Sequence, residues 1–140
     1  MHAGWALMEL AQDSAILASI EPHVEKATAF LVENGVRLPL LKADTIRLSY
    51  LFEAFGRNKY EPMHKLLMKY VPKNDFKLGY VSRASAIWSL GQLNKGKDNK
   101  ELREALFERI ADVLFVPAED YLVRFSCILE IGRASCRERV

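Results

Sequence analysis

Between Tyr80 and Leu93 the apolar residues Val81, Ala84, Ile87, Trp88 and Leu90 recur at three- and four-residue intervals, which sets them in one stripe along an α-helix. Small Ala84, Ser85 and Ala86 in the same stretch leave room for a neighbouring helix to approach closely. Similar stripes occur in two further segments. Aligned on a glycine, Ile46 to Gly56, Val81 to Gly91 and Leu122 to Gly132 superimpose, with the glycines 35 and 41 residues apart. Each segment ends in the same apolar spacing: Leu51/Phe52/Phe55, Ala86/Ile87/Leu90 and Cys127/Ile128/Ile131. A helix pair that repeats about every 40 residues buries its apolar face only by stacking on the next pair. The expected architecture is therefore an all-α solenoid of about three antiparallel helix pairs, at approximately 1–56, 57–93 and 94–129.

Breakers and caps set the expected helix limits. His2 to Ala11 is predicted helical around Trp5, Leu7, Met8 and Leu10, with Asp13-Ser14 breaking the pattern. Glu21-Pro22 opens a second helix, since proline suits a first turn, and Asn34-Gly35 closes it over a stripe of Val24, Ala27, Phe30 and Leu31. Asp44 is the predicted N-cap of Thr45 to Phe55, which Gly56 ends. Glu61-Pro62 opens a helix through Met63, Leu66, Leu67 and Tyr70, stopped by Pro72, and Lys73 to Gly79 is a loop. Asp98 followed three residues later by Glu101 reads as a capping box for a helix carrying Leu102, Ala105, Leu106, Ile110, Val113 and Leu114. Pro117 breaks that helix and Ala118 to Leu129 forms the next.

With 140 residues, half of them apolar, the chain can bury a core without staples. Two cysteines, Cys127 and Cys136, build no disulfide framework. There is neither a run of ~20 apolar residues nor a basic start with a compact apolar block, so a cytoplasmic protein without membrane attachment is expected. Charge is uneven. Residues 57–100 hold ten Lys/Arg against three Asp/Glu, a net of +7, while 1–56 and 101–140 carry −3 and −2.

Catalytic patterns are weak. Gly91 to Asp98 matches P-loop spacing except at its last position, where Asp98 would repel phosphate, and it follows a helix rather than a strand, so it reads as an inter-repeat loop. His2, His23 and His64 have no ligand partner at helical spacing. Cys127 lies on an apolar stripe and reads as a structural thiol; Glu101, Glu104 and Glu108 read as a solvated face beside Arg103 and Arg109. No catalytic residue, metal or cofactor is expected. Trp5 and Trp88 at equivalent positions read as core rather than as ligand-stacking rings. Arg47, Arg83 and Arg124 at successive helix starts suggest a structural ladder with carboxylates such as Asp44 or Asp120. The candidate binding residues are Lys59, Lys65, Lys69, Lys73, Lys77, Tyr80 and Arg83, cations that would meet an acidic protein or phosphates on one face.

The segments Arg83 to Gly91 and Val123 to Leu129 resemble the second helix of HEAT-like repeats, with their valine-arginine start and alanine-rich, leucine-glycine finish. The resemblance is good over about residues 44–129 and faint over 1–43. It implies a helical scaffold whose second helices line a concave groove for a protein partner. Nucleic-acid or polyanion binding through residues 57–100 is the alternative, and a glycosylase- or bilin-lyase-type enzyme stands behind both on family analogy alone. From Glu130 to Val140 the text is similar to a translated sequencing adapter, a non-native tail. Trp5-Ala6-Leu7 is similar to Trp88-Ser89-Leu90, which points to a fragment of a longer array whose uncapped ends self-associate.

Overall fold

A computed structural model of the chain describes residues 13–34, 42–72, 79–111 and 119–135, and every regular element among them is helical. The helices are α1 (Ser14–Asn34), α2 (Lys42–Arg57), α3 (His64–Met68, after a 3-10 turn at Glu61–Met63), α4 (Tyr80–Leu93), α5 (Lys100–Ala111) and α6 (Tyr121–Ser135). The expected helix around Trp5, and Val113 and Leu114, lie outside the described residues.

Helix α4 has the limits its periodicity predicts, but what it buries differs from the apolar stripe. Ser82, Ala84, Ser85, Ala86, Ile87, Ser89, Leu90 and Leu93 are buried, while Val81 and Trp88 are half-buried. Serines enter the core because α2 lies directly against them. Ser82 Oγ donates to the Thr45 carbonyl at 2.6 Å and Ser89 Oγ to the Phe52 carbonyl at 2.6 Å. Donors and acceptors are both seven residues apart and both ascend, so α2 and α4 run parallel. A hydroxyl that reaches a neighbouring carbonyl removes the penalty of burying it.

On its other side α4 packs along α6. Arg83 reaches Glu119, just before α6, and Gly91 lies under the Glu130 side chain near the other end, so α6 also runs parallel. Three parallel helices in the order α2–α4–α6 thus form one layer, and α1, α3 and α5 pack against α2, α4 and α6 respectively. A single core joins them, including Leu17 and Val24 of α1, Phe52 and Phe55 of α2, Leu67, Tyr70, Ile87, Leu90, Leu106, Val123 and Cys127. Phe52 meets Tyr70 edge-on, with ring centroids 4.7 Å apart.

Several helix ends depart from the sequence expectation. Asp13 starts α1, earlier than the Glu21-Pro22 opening expected: its Oδ1 accepts the Ala15 N–H at 2.9 Å. The residue types that interrupt a helix are those that cap one. Pro22 then lies inside α1, and the buried face is Leu17, Val24 and Thr28 rather than Val24, Ala27 and Phe30; Ala27 is exposed and Phe30 is 52% exposed. The Leu31 side chain lies outside those described. Asp44 is within α2, not its N-cap. Asn99, not Asp98, caps α5, its Oδ1 accepting the Leu102 N–H at 3.0 Å.

The aligned glycines terminate no helix. Gly56 is inside α2, and a Cβ there would stand 2.7 Å from Ser89 Cα, so this glycine permits the close α2–α4 approach. Gly91 lies within α4 and Gly132 within α6, where a Cβ at Gly132 would meet nothing within 4 Å. The end of α2 is instead closed by Lys59 at φ 51°. Its N–H bonds the Gly56 carbonyl at 3.1 Å and the Tyr60 N–H bonds Phe55 at 3.0 Å, a Schellman ending. The Phe55 and Tyr60 rings, 5.4 Å apart, supply its apolar contact. Replacing Gly56 by alanine is expected to cost about 2–3 kcal/mol, because the obstacle is backbone; a urea midpoint unchanged from wild type would refute the close approach. Lys59→Gly is expected to stabilise by about 0.5–1 kcal/mol, relief of the left-handed penalty outweighing glycine's chain entropy, measured in the same urea titration.

Candidate partner-binding face

The parallel register of α2 and α4 aligns two stripes beside their seam. On α2 it holds Tyr50, Glu53 and Arg57, and on α4 Val81, Ser85, Trp88 and Gln92, each set at three- and four-residue spacing. Ser85 Oγ donates to Glu53 Oε1 at 3.2 Å, and the Arg57 guanidinium carbon stands 5.9 Å from the Trp88 ring centroid. Ala86, Leu90 and Leu93, on the reverse of α4 at 100° per residue, are at most 2% exposed. Trp88 therefore points away from the core. Glu53, Trp88 and Gln92 are half-buried and Arg57 is exposed, giving a surface with a partly open indole under a cation.

Of the seven residues anticipated from sequence, the five described ones are spread over several elements. Lys59 closes α2 at the Leu93 edge of the layer, as Gly56 beside Ser89 shows. Tyr80, 45% exposed, begins α4 at the opposite edge, about 20 Å away at 1.5 Å per residue. Lys65 and Lys69 are exposed on α3 and its C-cap. Lys73 and Lys77 lie outside the described residues.

Arg83 faces inward. Its Nη2 is 2.5 Å from Glu119 Oε1, and Arg109 Nη1 is 3.6 Å from Glu119 Oε2, with side chains 12%, 1% and 14% exposed for Arg83, Glu119 and Arg109. Glu119 Oε1 also accepts the Asp120 N–H at 2.8 Å. The arginine ladder expected from sequence thus has its Arg83 rung, on Glu119 rather than Asp120. Asp120 caps α6, its Oδ1 accepting the Leu122 N–H at 2.8 Å. A second polar cluster joins successive pairs at the other edge: Asn94 Nδ2 is 3.1 Å from His64 Nε2, and Asn99 Nδ2 donates to Asn94 Oδ1 at 3.0 Å.

Neither the Trp88–Arg57 pair nor Glu119 stands out in sequence. Each partner is about 30 residues or more from the other, beyond the reach of helical spacing. A groove of about 1040 Å³ opens between the end of α4, the 94–99 connection, α5 and α6. Its α6 wall includes Glu130, Ile131, Gly132 and Arg133. Among the described residues no cluster of three His, Cys, Asp or Glu could hold a metal, and no helix is long and apolar enough to cross a membrane. Gly91 of the P-loop-like spacing is helical and cannot form a phosphate-cradling turn. No protein-family model, curated protein or solved structure matches the chain.

Cys127 is fully buried, and burial pushes its thiol up to about 12 from 9.0, against the pull of Arg109. Burial raises the Tyr70 phenol as well. Both groups are held protonated in the fold and titrate earlier once unfolded. The stability they confer is complete below pH 9 and lost as pH rises towards 12, by up to about 1.4 kcal/mol per pH unit for each group. In a Cys136→Ser background, Cys127→Ala should flatten the slope of stability against pH between 9 and 11, measured by urea titration; an unchanged slope would place Cys127 in a solvated setting.

Proposed function

We propose that this chain is a binding scaffold without catalytic activity, part of a HEAT-like α-solenoid in which α2, α4 and α6 form the inner layer. The support is the parallel α2–α4–α6 layer, each helix backed by one of α1, α3 and α5, with the layer helices starting 38 and 41 residues apart, near the period expected from sequence. The partner is a protein, and it docks on the open side of the α2–α4 seam. The observation that carries this reading is Trp88, held half-open beneath Arg57 on the side of α4 that turns away from the core. Tryptophan, tyrosine and arginine are the residues that most often dominate binding energy at protein interfaces. Residues 130–140 stand outside the functional unit as a non-native tail.

The polyanion reading is less well supported. Arg83 faces Glu119, while Lys59 and Tyr80 sit at opposite edges of the layer. Peptides selected against the chain from a displayed random library should lose at least tenfold in affinity on Trp88→Ala and be unaffected by Lys65→Ala. Binders indifferent to Trp88 would remove this assignment, and binding of generic duplex DNA that weakens steeply with salt, through Lys65 and Lys69, would favour the polyanion instead.

A further inference from the structure

We infer that the segment recognised at the Trp88–Arg57 face is acidic and carries an apolar anchor next to its carboxylate; this rests on the binding reading above. Helices α2 and α4 end at the same edge, where Lys97 pairs with Glu61 across the two following connections. Three cations stand exposed there, Arg57, Lys59 and Lys95. Of the nearby carboxylates, Glu61 pairs with Lys97 and Asp98 with Arg103, while Glu53, one turn before Arg57, accepts from Ser85 and keeps its charge. Arg57, Lys59 and Lys95 outnumber Glu53, so this edge keeps a positive surplus beside the half-buried indole.

The chemistry of the pair narrows the partner further. Indole attracts guanidinium at its face, and this restrains the Arg57 fork, which suits two-point capture of a carboxylate. Beside it the open part of Trp88 offers apolar area for a leucine- or phenylalanine-sized side chain. A phosphate backbone fits less well. Its closely spaced charges would run past Glu53, Glu61 and Asp98, whereas an isolated carboxylate at Arg57 faces the single charge of Glu53, one helical turn away.

The same displayed library distinguishes the outcomes. Peptides that depend on Trp88 should be enriched in Asp or Glu beside an aromatic or large aliphatic residue. Their affinity should fall at least tenfold on Arg57→Glu and severalfold on Arg57→Ala, with helix content unchanged by circular dichroism. Selection repeated on the Arg57→Glu chain should return peptides enriched in Lys or Arg. Neutral or basic peptides that still require Trp88 overturn the acidic partner and leave the binding face standing. No Trp88-dependent peptide overturns both. Duplex DNA retained at 50 mM salt by wild type and by Trp88→Ala, but lost on Arg57→Glu, overturns the acidic protein in favour of a polyanion.

Discussion

Two serine hydroxyls set the distance between α2 and α4, and the remaining packing is built outward from that spacing. Ser82 and Ser89 each donate to a main-chain carbonyl of α2 at 2.6 Å, and Gly56 lets the backbones meet near Ser89. A net contribution of about 0.5–1.5 kcal/mol per hydrogen bond is modest. Leaving the hydroxyls buried without acceptors would cost more, so this register is favoured over its neighbours by the penalty of the alternatives. Slipping α4 by one residue along α2 would turn both serines off their carbonyls.

The opposite side of α4 is joined by charge. Arg83 and Arg109 converge on the buried Glu119, and removing such a carboxylate would take a shared counter-ion from both guanidinium groups. Buried ion pairs gain little net stability over an apolar replacement of similar shape. What this one contributes is placement, because Arg83 belongs to α4, Arg109 to α5 and Glu119 to the approach to α6. The α2 seam is joined by serine hydroxyls on main-chain carbonyls, whereas the α6 seam carries the Arg83–Glu119 ion pair. The central helix therefore has two unlike flanks, and the third side of α4, with Trp88, is left for Arg57 and solvent.

Burial of the α2–α4 seam has a second consequence for that open side. Because Ser82, Ser85 and Ser89 turn toward α2, the bulkiest residue of the stretch is rotated out of the tight contact. An indole in the seam would force the helices apart, and the Ser–carbonyl bonds could not form. The half-buried indole is thus a geometric product of small residues packing elsewhere, not a failure of burial.

Much of this was legible in the chain before any coordinates. Helix period, together with proline and glycine placement, determines the all-α class, the limits of α4 and the start of the Glu61–Met63 turn, since these depend on contacts within a few residues. Other features depend on groups far apart in sequence. Whether Gly56 ends a helix or lets one approach, and whether Arg83 meets a partner or Glu119, are settled by what lies across the seam. The same holds for Trp88: its place on a helix is local, but its position beneath Arg57 exists only once α2 and α4 run side by side. Local spacing can state which residues share a stripe; only the packed helices decide which stripe is covered, because burial is a property of neighbours brought in from 30 or more residues away.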